Sequence, residues 1–188
     1  YVQVTTLMRS ALERWDGIIL YCAGAATTIV FSDDAEARLR QARAVFAASS
    51  DAAGDGRGTP GIGGYLHGYY WRLALGPTVL ALMHITGWET LAACINILVA
   101  ARLASSTALL ALQVDALLTP YAISKQKSKS LDVQHMVGQL LSLDNYDRDI
   151  AGRLVLRHLS GDGNVPSDLT SRGLWQEFAE LCTLLRVK

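Results

Sequence analysis

Four histidines are the side chains best suited to acid–base or ligand chemistry: His67, His84, His135 and His158. His84 lies inside an apolar run predicted to be helical, where a histidine can act as a haem ligand or proton relay. No partner for such a role is visible in the sequence. A packed, hydrogen-bonded His84 is therefore the favoured interpretation, and His135 and His158 are interpreted as surface or helix-end residues.

The acidic residues occur where predicted helix starts explain them. Asp33 and Glu36 form a capping-box pattern, and the acids of segment 144–149 lie at a helix start, where the helix dipole favours them. Glu89 is likewise attributed to capping. Segment 144–149, DNYDRD, lacks the glycine and closing glutamate of a calcium loop, and no GxSxG motif occurs. We therefore expect no catalytic residue, no metal site, no cofactor and a non-enzymatic protein.

Segment 49–64, SSDAAGDGRGTPGIGG, consists mainly of glycine and small polar residues. A phosphate-binding loop requires GxxxxGK[ST] between a strand and a helix, but no lysine follows these glycines and no strand pattern precedes them. The segment is therefore predicted to be a flexible linker. The three cysteines, Cys22, Cys94 and Cys182, match no CxxC spacing and are interpreted as buried apolar residues.

Charge is distributed unevenly along the 188 residues. Charged residues make up 18% of the chain, below the roughly 25% of a typical soluble domain. Only Glu89, Arg102 and Asp115 are ionised between residues 73 and 123, and segment 17–32 has no charge. This pattern predicts hydrophobic helices at or in a membrane. The net charge of zero argues against nucleic acid as the main partner, since phosphate binding needs a positive field.

No segment shows sustained strand alternation, so the sequence predicts an all-α fold. A bundle of hydrophobic helices is expected first, followed by an armadillo-like amphipathic segment. The predicted division is N-terminal helices at 1–48 including the apolar helix 17–32, a linker at 49–64, hydrophobic helices at 65–124 and an amphipathic three-helix segment at 125–188. In the last of these, one helical face is formed by Val133, Met136, Val137, Leu140 and Leu141, and another by Leu174, Phe178, Leu181 and Leu185.

Segment 147–162, DRDIAGRLVLRHLSGD, resembles the long third helix of an armadillo or HEAT-type repeat. Gly152, Leu156 and Leu159 match positions on the buried face of that helix, and His158 stands where many armadillo repeats carry Asn. The resemblance covers one helical unit near residues 131–188. It implies stacked helices that form a binding or packing surface and not a catalytic site.

These observations predict a non-enzymatic, membrane-associated helical scaffold or interaction subunit, in an organelle that the sequence does not identify. Its expected partners are another protein, or further repeats of a longer chain, and membrane lipids, but not nucleic acid. A soluble helical domain buried in a larger assembly is the alternative. A third possibility is a small transporter or channel whose pathway is lined by His84, Arg102 and Asp115. The start at Tyr1 suggests a processed chain or a fragment of a longer product.

Overall fold

The computed structural model of the chain describes residues 44–54, 56–66, 69–143 and 146–184. In this part of the chain, five strands form one mixed sheet in the order β3-β2-β1-β4-β5. The strands are β1 (Val45–Ala53), β2 (Gly61–Leu66), β3 (Tyr69–Ala74), β4 (Leu109–Val114) and β5 (Leu154–His158). The α-helices are α1 (Pro77–Leu80), α2 (Ile85–Leu103), α3 (Leu118–Lys125), α4 (Leu131–Leu141), α5 (Val165–Arg172) and α6 (Trp175–Leu184).

The strand directions bring four strand ends to one side of the sheet. Strands β1, β2 and β3 pair in an antiparallel manner, whereas β4 runs parallel to β1 and β5 runs parallel to β4. Parallel neighbours require a crossover connection, which α2 provides before β4, and α3 with α4 before β5. Strands β1, β3, β4 and β5 therefore end at the same edge, called here the carboxyl edge.

Helix α2 forms the centre of the main core. It packs on β1, β2 and β4 on one side and on α4 on the other, and Ala93, Ile97 and Ala100 are buried in the same cluster as Ala48 and Leu112. A helix covered on several sides needs apolar residues around most of its circumference. This burial explains much of the charge-poor stretch. On the opposite face of the sheet, α5 packs on β1 and β2.

The predicted all-α fold is wrong, because the described chain contains a five-stranded sheet. Strand β4, LLALQV, consists largely of good helix formers, and every residue after the first is buried. Strand β1 is buried along nearly its whole length. Strands covered on both faces appear in sequence as continuous apolar runs without alternation, and such runs cannot be told from buried helices. Segment 49–64, interpreted as a linker, contains the end of β1 and the start of β2.

The predicted hydrophobic membrane helices are also wrong for the described residues. None of the helices described is both long enough and apolar enough to cross a membrane. Region 65–124 contains β3, α2 and β4 among its elements instead of a series of hydrophobic helices. The predicted apolar helix 17–32 lies outside the described residues.

The armadillo-like unit is contradicted by β5. Leu156 and His158 lie in this strand, which pairs with β4 through Leu112 and Val114. Gly152 lies in a short 3-10 turn before the strand. The apolar residues that suggested the buried face of a helix are buried because β5 adds to the sheet.

Candidate active site

Two aspartates lie side by side at the carboxyl edge. Ser50 of β1 is paired with Val114 of β4, so the next residues, Asp51 and Asp115, continue two adjacent parallel strands about 4.8 Å apart. Asp51 is the more buried of the two and is only 8% exposed. Asp115 follows β4 directly, and its side chain is 40% exposed.

A third acid reaches this edge from α2. The helix begins at Ile85, after His84, whose ring accepts a hydrogen bond from the backbone N–H of Thr86. Strand β3 ends at the carboxyl edge, and α2 begins about ten residues later and leads to the start of β4 at the other edge. Glu89, in the first turns of α2, is therefore near the carboxyl edge. Burial, together with the negative charges of Asp51 and Asp115, raises the pKa of Glu89 to about 7. This electrostatic coupling indicates that the three carboxyl groups share one neighbourhood.

The fourth acid, Asp168, comes from α5 on the opposite face of the sheet. The pKa of Asp51 is raised, mainly by burial. The negative charge of Asp168 adds to this increase, whereas a hydrogen bond from Ser171 opposes it. Arg172 Nε donates to Asp168 Oδ1 over 2.6 Å. The start of the same helix is fixed to β1 by Asn164, whose Nδ2 donates to the carbonyl oxygen of Ser50 over 3.0 Å.

His158 completes the site at the end of β5. Its Nε2 lies 3.9 Å from Asp115 Oδ1, and its side chain is 21% exposed. The turn that follows passes close to the same carboxylate, since a Cβ atom on Gly161 would lie 2.9 Å from Asp115 Oδ2. A glycine at this position leaves room for the Asp115 side chain. An imidazole and a carboxylate are thus adjacent at the rim of the site.

The loop between β1 and β2 holds the end of α5 in place. Thr59 donates its backbone N–H to the carbonyl oxygen of Arg172 over 2.9 Å, and Arg72 donates to the carbonyl oxygens of Ser171 and Thr59. Gly58 has a φ of +91°, and a Cβ atom there would lie 2.5 Å from the carbonyl oxygen of Arg172. The loop glycines permit a close contact that anchors α5 beside β1.

The available donors are hard oxygen ligands of the kind that bind Mg²⁺, Mn²⁺ or Ca²⁺. Beside the four carboxyl groups, the amide oxygen Oδ1 of buried Asn164 has no hydrogen-bond partner within the described part of the chain. No group of three or more His, Cys, Asp or Glu side chains is gathered into metal-binding geometry among these residues. Carboxylates repel one another without a compensating cation. The donor chemistry fits a hard divalent cation, although the side chains are not drawn together.

The structure separates the residues that the transporter hypothesis grouped. His84 caps α2 at its start, whereas Arg102 lies in the last turn of the same helix, about 27 Å away along the helix axis. Asp115 belongs to the carboxyl edge, and Arg102 lines a cavity with Leu98 and Arg153. His67 lies outside the described residues, and His135 is exposed on α4.

Sequence reasoning missed the site because it assigned each acid to a different local feature. The sequence places Asp51 in the predicted linker and explains Glu89 by capping, and Asp168 is the last residue of a predicted turn, 161–168. The useful signal was Asp51 itself, an acid directly after the small and apolar run VFAASS. Once that run is identified as a buried strand, an acid near its end becomes a candidate site residue. Comparison of the chain with protein-family models, curated proteins and solved structures finds no match.

Proposed function

We propose that the chain is a divalent-cation-dependent nuclease, which hydrolyses phosphodiester bonds in a nucleic acid. The observation that carries the proposal is the placement of four acids at or beside the carboxyl edge: Asp51 in β1, Glu89 in α2, Asp115 after β4 and Asp168 in α5. Divalent cations held by such carboxylates activate water and stabilise the charge that develops on a phosphate.

The chain's own residues have distinct roles in this proposal. Asp51, Asp115 and Asp168 supply carboxylate oxygens. Glu89, with its pKa raised to about 7, exchanges a proton near neutral pH and so suits acid–base work. His158 lies beside Asp115, where its imidazole can deliver a proton to the leaving oxygen.

The exposure of the site supports a polymeric substrate. The side chains of Asp115 and Asp168 are each 40% exposed, so a chain of nucleotides can lie across the edge. Lys125 at the end of α3 and Lys127 and Lys129 just after it are exposed, and α3 begins just beyond Asp115. Local positive charge of this kind attracts phosphates even when the net charge of the chain is zero. The expectation from net charge, that nucleic acid is not a partner, stays an untested prediction that competes with this proposal.

The proposal predicts cleavage that depends on both Mg²⁺ and the acids. End-labelled RNA–DNA hybrid, single-stranded RNA, single-stranded DNA and duplex DNA would be incubated with the wild-type chain in Mg²⁺ or in EDTA. We expect cleavage in Mg²⁺ only, and a loss of at least about 100-fold in Asp51→Asn and Asp115→Asn. Glu180→Gln, which removes an exposed acid on α6, is the matched control and should retain activity.

Two outcomes would contradict the proposal. One is an absence of cleavage of all four substrates in Mg²⁺ and in Mn²⁺ by a folded wild-type chain. The other is cleavage that Asp51→Asn and Asp115→Asn retain in full, which would indicate a contaminating nuclease. Either result would favour the expectation of a non-enzymatic scaffold, which is untested.

A further inference from the structure

We propose that a groove at the edge of the sheet opposite the carboxyl edge is a docking surface for an acidic, amphipathic helix of a partner protein. Side chains from the end of α2 and from the segment between α4 and β5 line this groove, called here the amino-edge groove: Leu98, Arg102, Leu103, Leu143, Ile150 and Arg153. None of the four acids of the candidate active site lines it. The proposal is therefore independent of the function proposed above.

The size of the groove suits a helix better than a small molecule. Its volume of about 1190 Å³ exceeds the roughly 300–1,000 Å³ of typical small-molecule pockets. Leu98 and Leu103 are 37% and 50% exposed, so the groove is open to solvent. An open concave surface of this kind receives a row of side chains, which one face of an amphipathic helix presents.

Apolar side chains line both sides of the groove. Leu98 and Leu103 belong to α2, and Leu143 and Ile150 belong to the segment between α4 and β5. A partner with apolar side chains would remove the two exposed leucines from water, which favours association. Nucleic acid fits this groove less well, because interfaces between proteins and nucleic acids are more polar.

The charges around the groove are mainly positive. Among the described residues that line it are three arginines, Arg102, Arg148 and Arg153, and one acid, Asp149. Arg148 Nε and Nη2 donate to the two carboxylate oxygens of Asp149 over 2.9 and 3.0 Å. Arg102, exposed in the last turn of α2, forms no ion pair within the described part of the chain. A complementary helix therefore carries carboxylates beside its apolar residues.

Hydrogen bonds of Arg153 fix the shape of the groove. Its Nε donates to the carbonyl oxygen of Asp149 over 2.8 Å, and its Nη1 donates to those of Ser105 and Ala108 over 2.7 and 3.2 Å. One guanidinium thus joins the turn before β5 to the loop before β4. Carbonyl groups carry no net charge, so these bonds leave a positive charge in a fixed position. A surface that already has its bound shape loses little conformational entropy on binding.

Fluorescence anisotropy with a designed, labelled peptide tests the proposal on the full chain. The probe is an amphipathic helix with leucines at i, i+3 and i+7 and glutamates beside them. One matched peptide replaces the glutamates with glutamine, and another replaces the leucines with alanine. The wild-type chain should bind the acidic peptide with a Kd below about 100 μM, and should bind each matched peptide at least about tenfold more weakly.

Variants of the groove locate the binding. Arg102→Glu and Leu103→Ser should each weaken binding of the acidic peptide at least about tenfold. Lys127→Glu and Leu131→Ser are the matched controls, because they change an exposed cation and an 85% exposed leucine outside the groove. They should alter affinity less than about twofold. A peptide with lysines in place of the glutamates should bind Arg102→Glu more tightly than wild type, which a misfolded variant would not do.

Three outcomes would overturn the proposal. The first is a Kd above about 1 mM for the wild-type chain and the acidic peptide. The second is full retention of affinity by Arg102→Glu and Leu103→Ser. The third is binding of single-stranded DNA or of anionic lipid vesicles that depends on Arg102 and is tighter than binding of the peptide, which would assign the groove to a phosphate-bearing partner. None of these outcomes involves cleavage, so the proposed function is tested separately.

Discussion

A carboxyl group that is buried beside other acids holds its proton more tightly than one in water, and Glu89 is in this situation. Its burial and the charges of Asp51 and Asp115 raise its pKa to about 7. The native fold therefore bears a cost at neutral pH, because the charged form of Glu89 is disfavoured. A cation placed among the acids would offset this cost. Groups strained in this way are frequent at functional sites.

The Glu89→Gln variant tests this strain through the pH dependence of stability. The folded-state pKa of about 7 exceeds the ordinary value of 4.5, so the folded state binds more protons between these values and stability falls as pH rises through them. Without cations, Glu89→Gln should be more stable than wild type by about 1–2 kcal/mol at pH 8, and this gap should largely close at pH 5. Urea unfolding in EDTA measures both gaps. A gap that does not change with pH would contradict the assignment.

The elements meet closely where small residues permit it, and β2 is the clearest case. Asn96 of α2 accepts a hydrogen bond from Trp71 Nε1 over 2.6 Å and donates to the carbonyl oxygen of Ser49 over 2.5 Å. Asn96 and Trp71 both lie close to Gly64, where a Cβ atom would lie 2.4 Å from Asn96 Oδ1 and 2.6 Å from Trp71 Nε1. The glycines of β2 therefore allow helices to approach both faces of the sheet.

The contrast between two glycines tests this account of packing. Gly64→Ala should destabilise the fold by about 2–3 kcal/mol, because its methyl group would displace the Trp71–Asn96 hydrogen bond. Gly138→Ala is the control, since a Cβ atom there has no neighbour within 4 Å and alanine favours the helix; it should stabilise by about 0.5–1 kcal/mol. Chemical denaturation measures both. Equal stabilities for the two variants would show that β2 is not packed as described.

Helix periodicity predicted α4 correctly, because its stripe of Val133, Val137 and Leu140 is buried on one face only. The apolar face predicted around Phe178 is likewise consistent with α6, where Phe178 is 1% exposed. The strands lack such a signal. Strand β4 is buried along nearly its whole length, so its sequence is a largely apolar run that does not alternate between apolar and polar residues. Pairing between distant segments, such as β1 with β4, cannot be read from local pattern.

At the scale of the whole molecule, the site exists only because distant parts of the chain meet at one edge. Asp51 and Asp168 are separated by more than a hundred residues, yet they interact because α5 crosses β1. The uneven charge distribution, which suggested a membrane, is explained by the burial of α2 and β4 within the fold. The acids that remain in or near the apolar stretch, Glu89 and Asp115, are two of the four at the candidate site.

The most direct test of the central claim is the position of Mn²⁺ in crystals of the wild-type chain grown with that cation and a nucleic-acid duplex. Anomalous scattering locates the metal without reference to any activity. The account predicts Mn²⁺ at the carboxyl edge, coordinated by Asp51 together with at least one of Asp115 and Asp168. Crystals that contain ordered duplex but no Mn²⁺ at these carboxylates, or Mn²⁺ only elsewhere on the chain, would contradict it.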